Sequence, residues 1–115
     1  MDTVSGQMPH NAVDFIRRCI DEGKIFWTYH VNMRLQERTI CRDEISAATD
    51  SYEIIESYPR DRHLPSCLVL AAAPGGPLHI VFALDVEDDN VRIVTAYRPD
   101  PLAWSNDFRK RRGEK

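Results

Sequence analysis

The sequence predicts an α+β domain: N-terminal helices packed on an antiparallel sheet of about four strands, closed by a short C-terminal helix. Three observations carry this. Up to about residue 50 apolar residues recur at spacings of three and four, and from residue 52 the pattern changes to short β-rich runs. Turn chemistry, Pro74-Gly75-Gly76-Pro77 and Glu87-Asp88-Asp89-Asn90, separates the later runs. Those connections are too short for crossover helices, which argues against a doubly wound parallel sheet.

Taken in order, residues 1–10 mix Ser, Gly, Pro and polar groups and are expected as a flexible arm, with 11–110 as a single domain and 111–115 as a basic tail. Asn11 suits a helix N-cap, and a helix over 12–23 gathers Ala12, Phe15, Ile16, Cys19 and Ile20 on one stripe before Gly23 stops it. Ile25–Thr28 reads as a short strand or extended lead-in to a second helix over 29–37. Ile40 and Cys41 turn the chain into a third helix over 42–50, with Asp43 and Glu44 favouring its N-terminus. Strands follow at 52–58, 66–73, 78–85 and 90–98, the last three as a meander, and Leu102, Trp104 and Phe108 anchor a helix over 101–110.

A chain of 115 residues with 43% hydrophobic residues can bury a core without disulfides or metal staples. Its formal charge of −3 excludes a uniformly basic coat for nucleic acid. That average hides structure along the chain. Residues 24–42 carry four basic groups and one acidic, residues 98–115 six and three, and the stretch between them three and ten. Cys19, Cys41 and Cys67 are scattered, without a C-x-x-C pair, and are expected as reduced thiols. No run approaches a membrane span and no signal peptide is evident, so a cytoplasmic location without membrane association is expected.

The second helix holds the strongest candidate site. His30, Arg34, Glu37 and Arg38 fall within an arc of about 100°, while Val31 and Leu35 on the adjoining arc would seat the helix on the sheet. Two guanidinium groups can hold a phosphate, a histidine titrates near neutrality, and a carboxylate can accept a proton. A solvated face with Arg34, Glu37 and Arg38 in intrahelical ion pairs is the competing reading. His79 is the second candidate, placed by alternation opposite Leu78, Ile80, Phe82 and Leu84, with small residues beside it. Tyr97 and Arg98 at a strand end, and Arg109 in the basic cluster Arg109-Lys110-Arg111-Arg112, are candidate substrate contacts. That cluster also reads as a solvated tail, and the Trp104 region as an exposed aromatic anchor for a partner. His10 and His63 sit in expected loops, no metal-ligand spacing occurs, and no metal or other cofactor is expected.

From Trp27 to about Trp104 the sequence resembles the small prokaryotic family called domain of unknown function 4258. The resemblance rests on His30, Arg34, Glu37-Arg38-Thr39-Ile40, Glu53-Ile54-Ile55-Glu56, Pro77-Leu78-His79-Ile80-Val81, Val94–Pro99 and Trp104. Cys41 stands where the family pattern usually has a Ser- or Thr-like helix cap. The family looks similar in fold to compact ribonuclease toxins of the RelE and BrnT type, often encoded beside an antitoxin-like zinc-finger protein. The resemblance implies His30, Arg34, Glu37, Arg38 and His79 as site positions. The expectation is a toxin-like, metal-independent endoribonuclease of a toxin–antitoxin system, with RNA as substrate and an antitoxin protein as partner. Glu37 or His30 would be the base, Arg34 and Arg38 the phosphate clamp, and His79 or the other histidine the acid. A non-catalytic RNA- or protein-binding module using the same face is the alternative, and a homodimer is compatible with either.

Overall fold

The computed structural model describes residues 8–60 and 63–113. Helix α1 spans Ala12–Asp21, β1 Ile25–Phe26, α2 Tyr29–Glu37 and α3 Arg42–Ala47. A 3₁₀ turn at Thr49–Ser51 leads to β2 (Glu53–Tyr58), β3 (Ser66–Ala73), β4 (Gly76–Asp85) and β5 (Asn90–Tyr97). The α+β class holds, and the sheet order is β1-β5-β4-β3-β2. Strands β3 to β5 form the expected antiparallel meander, and β2 adds to it antiparallel to β3. The 25–28 lead-in contributes a fifth strand, pairing in parallel only with Val91 and Arg92 of β5, so the sheet is mixed.

Local chemistry sets the helix starts. The Asn11 side chain accepts from the Asp14 N–H, and Thr28 Oγ1 accepts from the Val31 N–H at 3.1 Å. Cys41 caps α3 without any side-chain bond, a thiol being a poor acceptor. The third helix, expected to reach residue 50, stops at Ala47. The Tyr52 hydroxyl donates to the Ile45 carbonyl at 2.6 Å and Arg17 donates to the Thr49 carbonyl at 2.9 Å, so carbonyls of the final turns are claimed from outside.

One face of the sheet takes all three helices. Ile16 and Cys19 of α1, Val31 and Leu35 of α2, and Ile45 of α3 are buried against Leu78, Ile80, Phe82 and Leu84 of β4. Each large side chain so buried contributes about 1.5–3 kcal/mol. Arg98 fixes α3 to the β3–β4 hairpin, donating to Glu44 at 2.7 Å and to the Gly76 carbonyl at 3.1 Å. A Cβ on Gly75 would stand 2.7 Å from this guanidinium and 3.0 Å from Glu44, so a side chain there would displace the pair.

The opposite face is covered in part by residues 100–112, which do not form the expected helix. Asp100 Oδ1 accepts from the Leu102 N–H, Asp107 Oδ1 from the Arg109 N–H and Ser105 Oγ from the Lys110 N–H. These short side chains capture the backbone donors a helix would use. Phe108 has φ +62°, and Trp104 and Arg111 form an isolated bridge. Trp104, expected to be exposed, is 4% accessible. Arg111 and Arg112, the described start of the expected tail, are anchored, Arg111 to Glu56 and Arg112 to Asn106 and the Pro101 carbonyl. Residues 1–7, 114 and 115 of the expected arm and tail lie outside the described residues. Among the described residues no helix is long and apolar enough to cross a membrane.

Candidate functional site

Helix α2 lies along β5 beyond the reach of the two-residue β1, and its polar arc faces solvent. His30, Arg34, Glu37 and Arg38 are all exposed, as their spacing predicts, while Val31 and Leu35 are 4% and 3% accessible. Among the described residues Arg34 and Glu37 have no hydrogen bond or ion pair through their side chains, so the competing network of intrahelical pairs is not formed. Arg38 donates to the Ala96 carbonyl at 2.8 Å and to Thr95 Oγ1 at 3.2 Å, which orients it along the edge of β5 and leaves its charge without a carboxylate. Thr39, at φ +57°, turns the chain so that Arg42 opens α3, its guanidinium 4.4 Å from the centre of the Trp27 ring. Arg34 and Arg38 thus form a short basic stripe, whereas Arg42 lines a depression with Asn32 and Gln36 on the other flank of α2.

Three arginines of the C-terminal basic segment are paired with carboxylates. Arg109 makes two hydrogen bonds to Glu53, at 2.9 and 2.7 Å, and Arg111 two to Glu56, at 2.9 and 3.0 Å. Hydrogen bonds from these arginines hold both glutamates below the ordinary carboxylate pKa. Arg98, a candidate substrate contact, is spent on Glu44, and its bond lowers that carboxyl's pKa.

His79 sits apart from the α2 face, under the C-terminal cover, with no accessible surface. Its Nε2 is 2.9 Å from the Phe108 carbonyl and its Nδ1 3.3 Å from the Tyr97 hydroxyl. A carbonyl only accepts, so Nε2 carries the proton and Nδ1 accepts from Tyr97. The Trp104 ring packs edge-on at 4.3 Å. Burial lowers the pKa of this imidazole, so it rests neutral with both nitrogens satisfied. It can lock the cover to the sheet, but it is not placed to donate a proton to a substrate held on α2. Tyr97, half-buried, links the two regions: burial raises its pKa, and Arg111 and Arg38 oppose that shift from either side.

Two residues escape the sequence reading. Arg42 follows Arg38 by four residues, but lies across a helix break, where helical spacing carries no information. His63 lies in a connection between strands, and only the fold brings it, with His30, to a cavity of about 460 Å³. Among the described residues no group of three His, Cys, Asp or Glu gathers closely enough to hold a metal ion.

Fold and site together define a small α+β domain with an exposed arc of His30, Arg34, Glu37 and Arg38 along one edge of its sheet. The chain belongs to the family described as domain of unknown function (DUF4258), whose model matches residues 27–98. The match takes in α2, α3 and strands β2 to β5. It ends at Arg98, short of Trp104, and leaves out α1 and the C-terminal cover. No curated protein and no solved structure matches the chain.

Proposed function

We propose that the α2 face binds the phosphates of RNA and that the chain is a metal-independent endoribonuclease of the toxin type implied by its resemblance to RelE- and BrnT-like proteins. The observation that supports this reading is that Arg34 and Arg38, one turn apart on the exposed arc, have no carboxylate partner among the described residues, in a chain of net charge −3. Exposed cations not neutralised by a carboxylate are the parts that phosphate recognition uses.

Arg34 is one turn from His30 and from both Glu37 and Arg38, so a phosphate held there has a titratable group on each side. Glu37 takes the proton of the RNA 2′-hydroxyl, and the oxygen attacks the adjacent phosphorus. The bond to the 5′-oxygen breaks, His30 supplies the proton that oxygen needs, and a 2′,3′-cyclic phosphate remains. Arg34 and Arg38 stabilise the charge developing on the phosphoryl oxygens. RNA incubated with the protein in excess chelator should yield 2′,3′-cyclic ends, and cleavage that persists in an Arg34→Ala, Arg38→Ala variant contradicts the assignment.

The seclusion of His79 favours a second reading, a non-catalytic module that holds RNA or an antitoxin on the same face. Binding that weakens with salt, combined with intact RNA after long incubation, would select it.

A further inference from the structure

Beside the basic stripe lies the cavity of about 460 Å³, between the start of α2, the β2–β3 connection and strands β4 and β5. His30 and His63 stand on it, and Leu64, Ala83 and Val94 give it apolar surface. Val94 has an unusual position. The pairing of β4 with β5 shifts between Val81↔Thr95 and Phe82↔Ile93, so Val94 is the extra residue of a bulge. It is 53% exposed, on the same side of the strand as the exposed Arg92, while Ile93 between them is buried. Bulges of this kind re-aim a side chain at the expense of one ladder pair.

The electrostatics of the cavity differ from those of the stripe. Among the described residues its one arginine, Arg92, is paired with Asp85 at 2.9 Å, and no uncompensated permanent charge from those residues lines it. A phosphate gains little there, whereas a flat, largely neutral, hydrogen-bonding group gains apolar contact with Val94 and Leu64 and stacking on imidazole or guanidinium planes. The volume falls within the range of small-ligand pockets. His30 belongs to both the cavity and the stripe, so a strand with its backbone on Arg34 and Arg38 has a base within reach of the cavity.

We infer that this cavity is a nucleobase subsite, taking one unstacked base of a single-stranded RNA whose phosphates lie on α2. The inference rests on the RNA-binding reading proposed above and adds a base-recognition site to it. Stacking a base in such a site changes affinity by about tenfold or more.

The test compares two fluorescently labelled oligonucleotides by anisotropy, a single-stranded RNA and the same chain with abasic sites. The full chain is used as wild type, as His63→Ala on the exposed rim, and as Ala83→Leu, which fills the cavity. The wild type should bind the base-bearing strand about tenfold more tightly. Each cavity variant should remove that preference while leaving affinity for the abasic strand unchanged. Because His63 is exposed, its variant keeps the test sound if Ala83→Leu fails to fold. Equal wild-type affinity for the two strands overturns the subsite and leaves the phosphate site standing. A preference that survives in His63→Ala and in folded Ala83→Leu, as for a cavity that receives a protein side chain, also overturns it. Absence of binding to either strand overturns the RNA-binding reading and the subsite with it.

Discussion

The two basic segments of this chain look equivalent in composition and meet opposite fates in the fold. Residues 24–42 and 98–115 each carry an excess of three positive charges. Three arginines of the C-terminal set are paired internally, Arg98 with Glu44, Arg109 with Glu53 and Arg111 with Glu56, while Arg112 bonds only the Pro101 carbonyl and Asn106, and Lys110 has no carboxylate among the described residues. In the first set only Lys24 has carboxylate partners, Glu22 and Asp89. Arg34, Arg38 and Arg42 keep their charges for solvent or a ligand. Local charge density therefore does not identify a binding surface. What matters is whether the sheet presents a carboxylate opposite each cation, and β2 does so for the cover but not for α2.

The difference can be broken most strongly on the helix. Replacing Arg34 and Arg38 by Ala should lower RNA cleavage at least about a hundredfold, as loss of charge stabilisation does. The melting midpoint should move little, because Arg34 makes no side-chain hydrogen bond or ion pair among the described residues and Arg38 only bonds at an exposed edge. Parallel rate and melting measurements on the variant check both halves.

Second in size is the lock beneath the cover. His79→Ala removes a fully buried ring and two hydrogen bonds and should cost about 2–4 kcal/mol in urea unfolding. RNA affinity of the folded fraction should be unchanged, since the ring is buried under the cover and does not touch Arg34 or Arg38.

The same residue imposes a pH dependence. Burial lowers the His79 pKa below its ordinary 6.5, so the unfolded chain binds the proton more readily and stability rises with pH. The contribution is complete above about 6.5 and is lost progressively as pH falls through the lower folded-state value. Glu53 and Glu56, also lowered, give up their contribution only further down, below about pH 4.5, so the cover loosens in two stages. Urea midpoints between pH 7.5 and 5.5 should fall for the wild type and fall less for His79→Gln, which keeps a polar side chain but cannot titrate.

The smallest expected effect sharpens the contrast. Glu53→Gln should shift the melting midpoint by no more than about 2 °C, exposed ion pairs being weak. By freeing Arg109 it should raise RNA affinity slightly, which a filter-binding titration would register.

The sequence exposed most of the scaffold because period and turn chemistry act locally. The second helix and the strand Ser66–Ala73 match their expected spans, and the meander follows from Pro74-Gly75 and the acidic turn. Where the reading failed, a nonlocal or side-chain effect won. Trp104 and Phe108 have helical spacing, yet Asp100, Ser105 and Asp107 take the backbone donors. The α2 arc was legible from angular arithmetic alone. The seclusion of His79 was not, because alternation assigns a face and cannot show that a distant segment closes over it. Likewise, no spacing rule pairs Arg109 with Glu53 across 56 positions, or brings His63 to the cavity shared with His30.

The most direct test of the central claim is the salt dependence of RNA affinity for three proteins: wild type, Arg34→Ala with Arg38→Ala, and Arg109→Ala with Arg111→Ala. Each lost phosphate contact reduces the slope of log affinity against log salt by about 0.7 for single strands. The helix pair should therefore lower the slope by about 1.4, and the C-terminal pair should leave it unchanged. A slope that drops on removing the C-terminal pair and stays fixed on removing the helix pair would contradict the account.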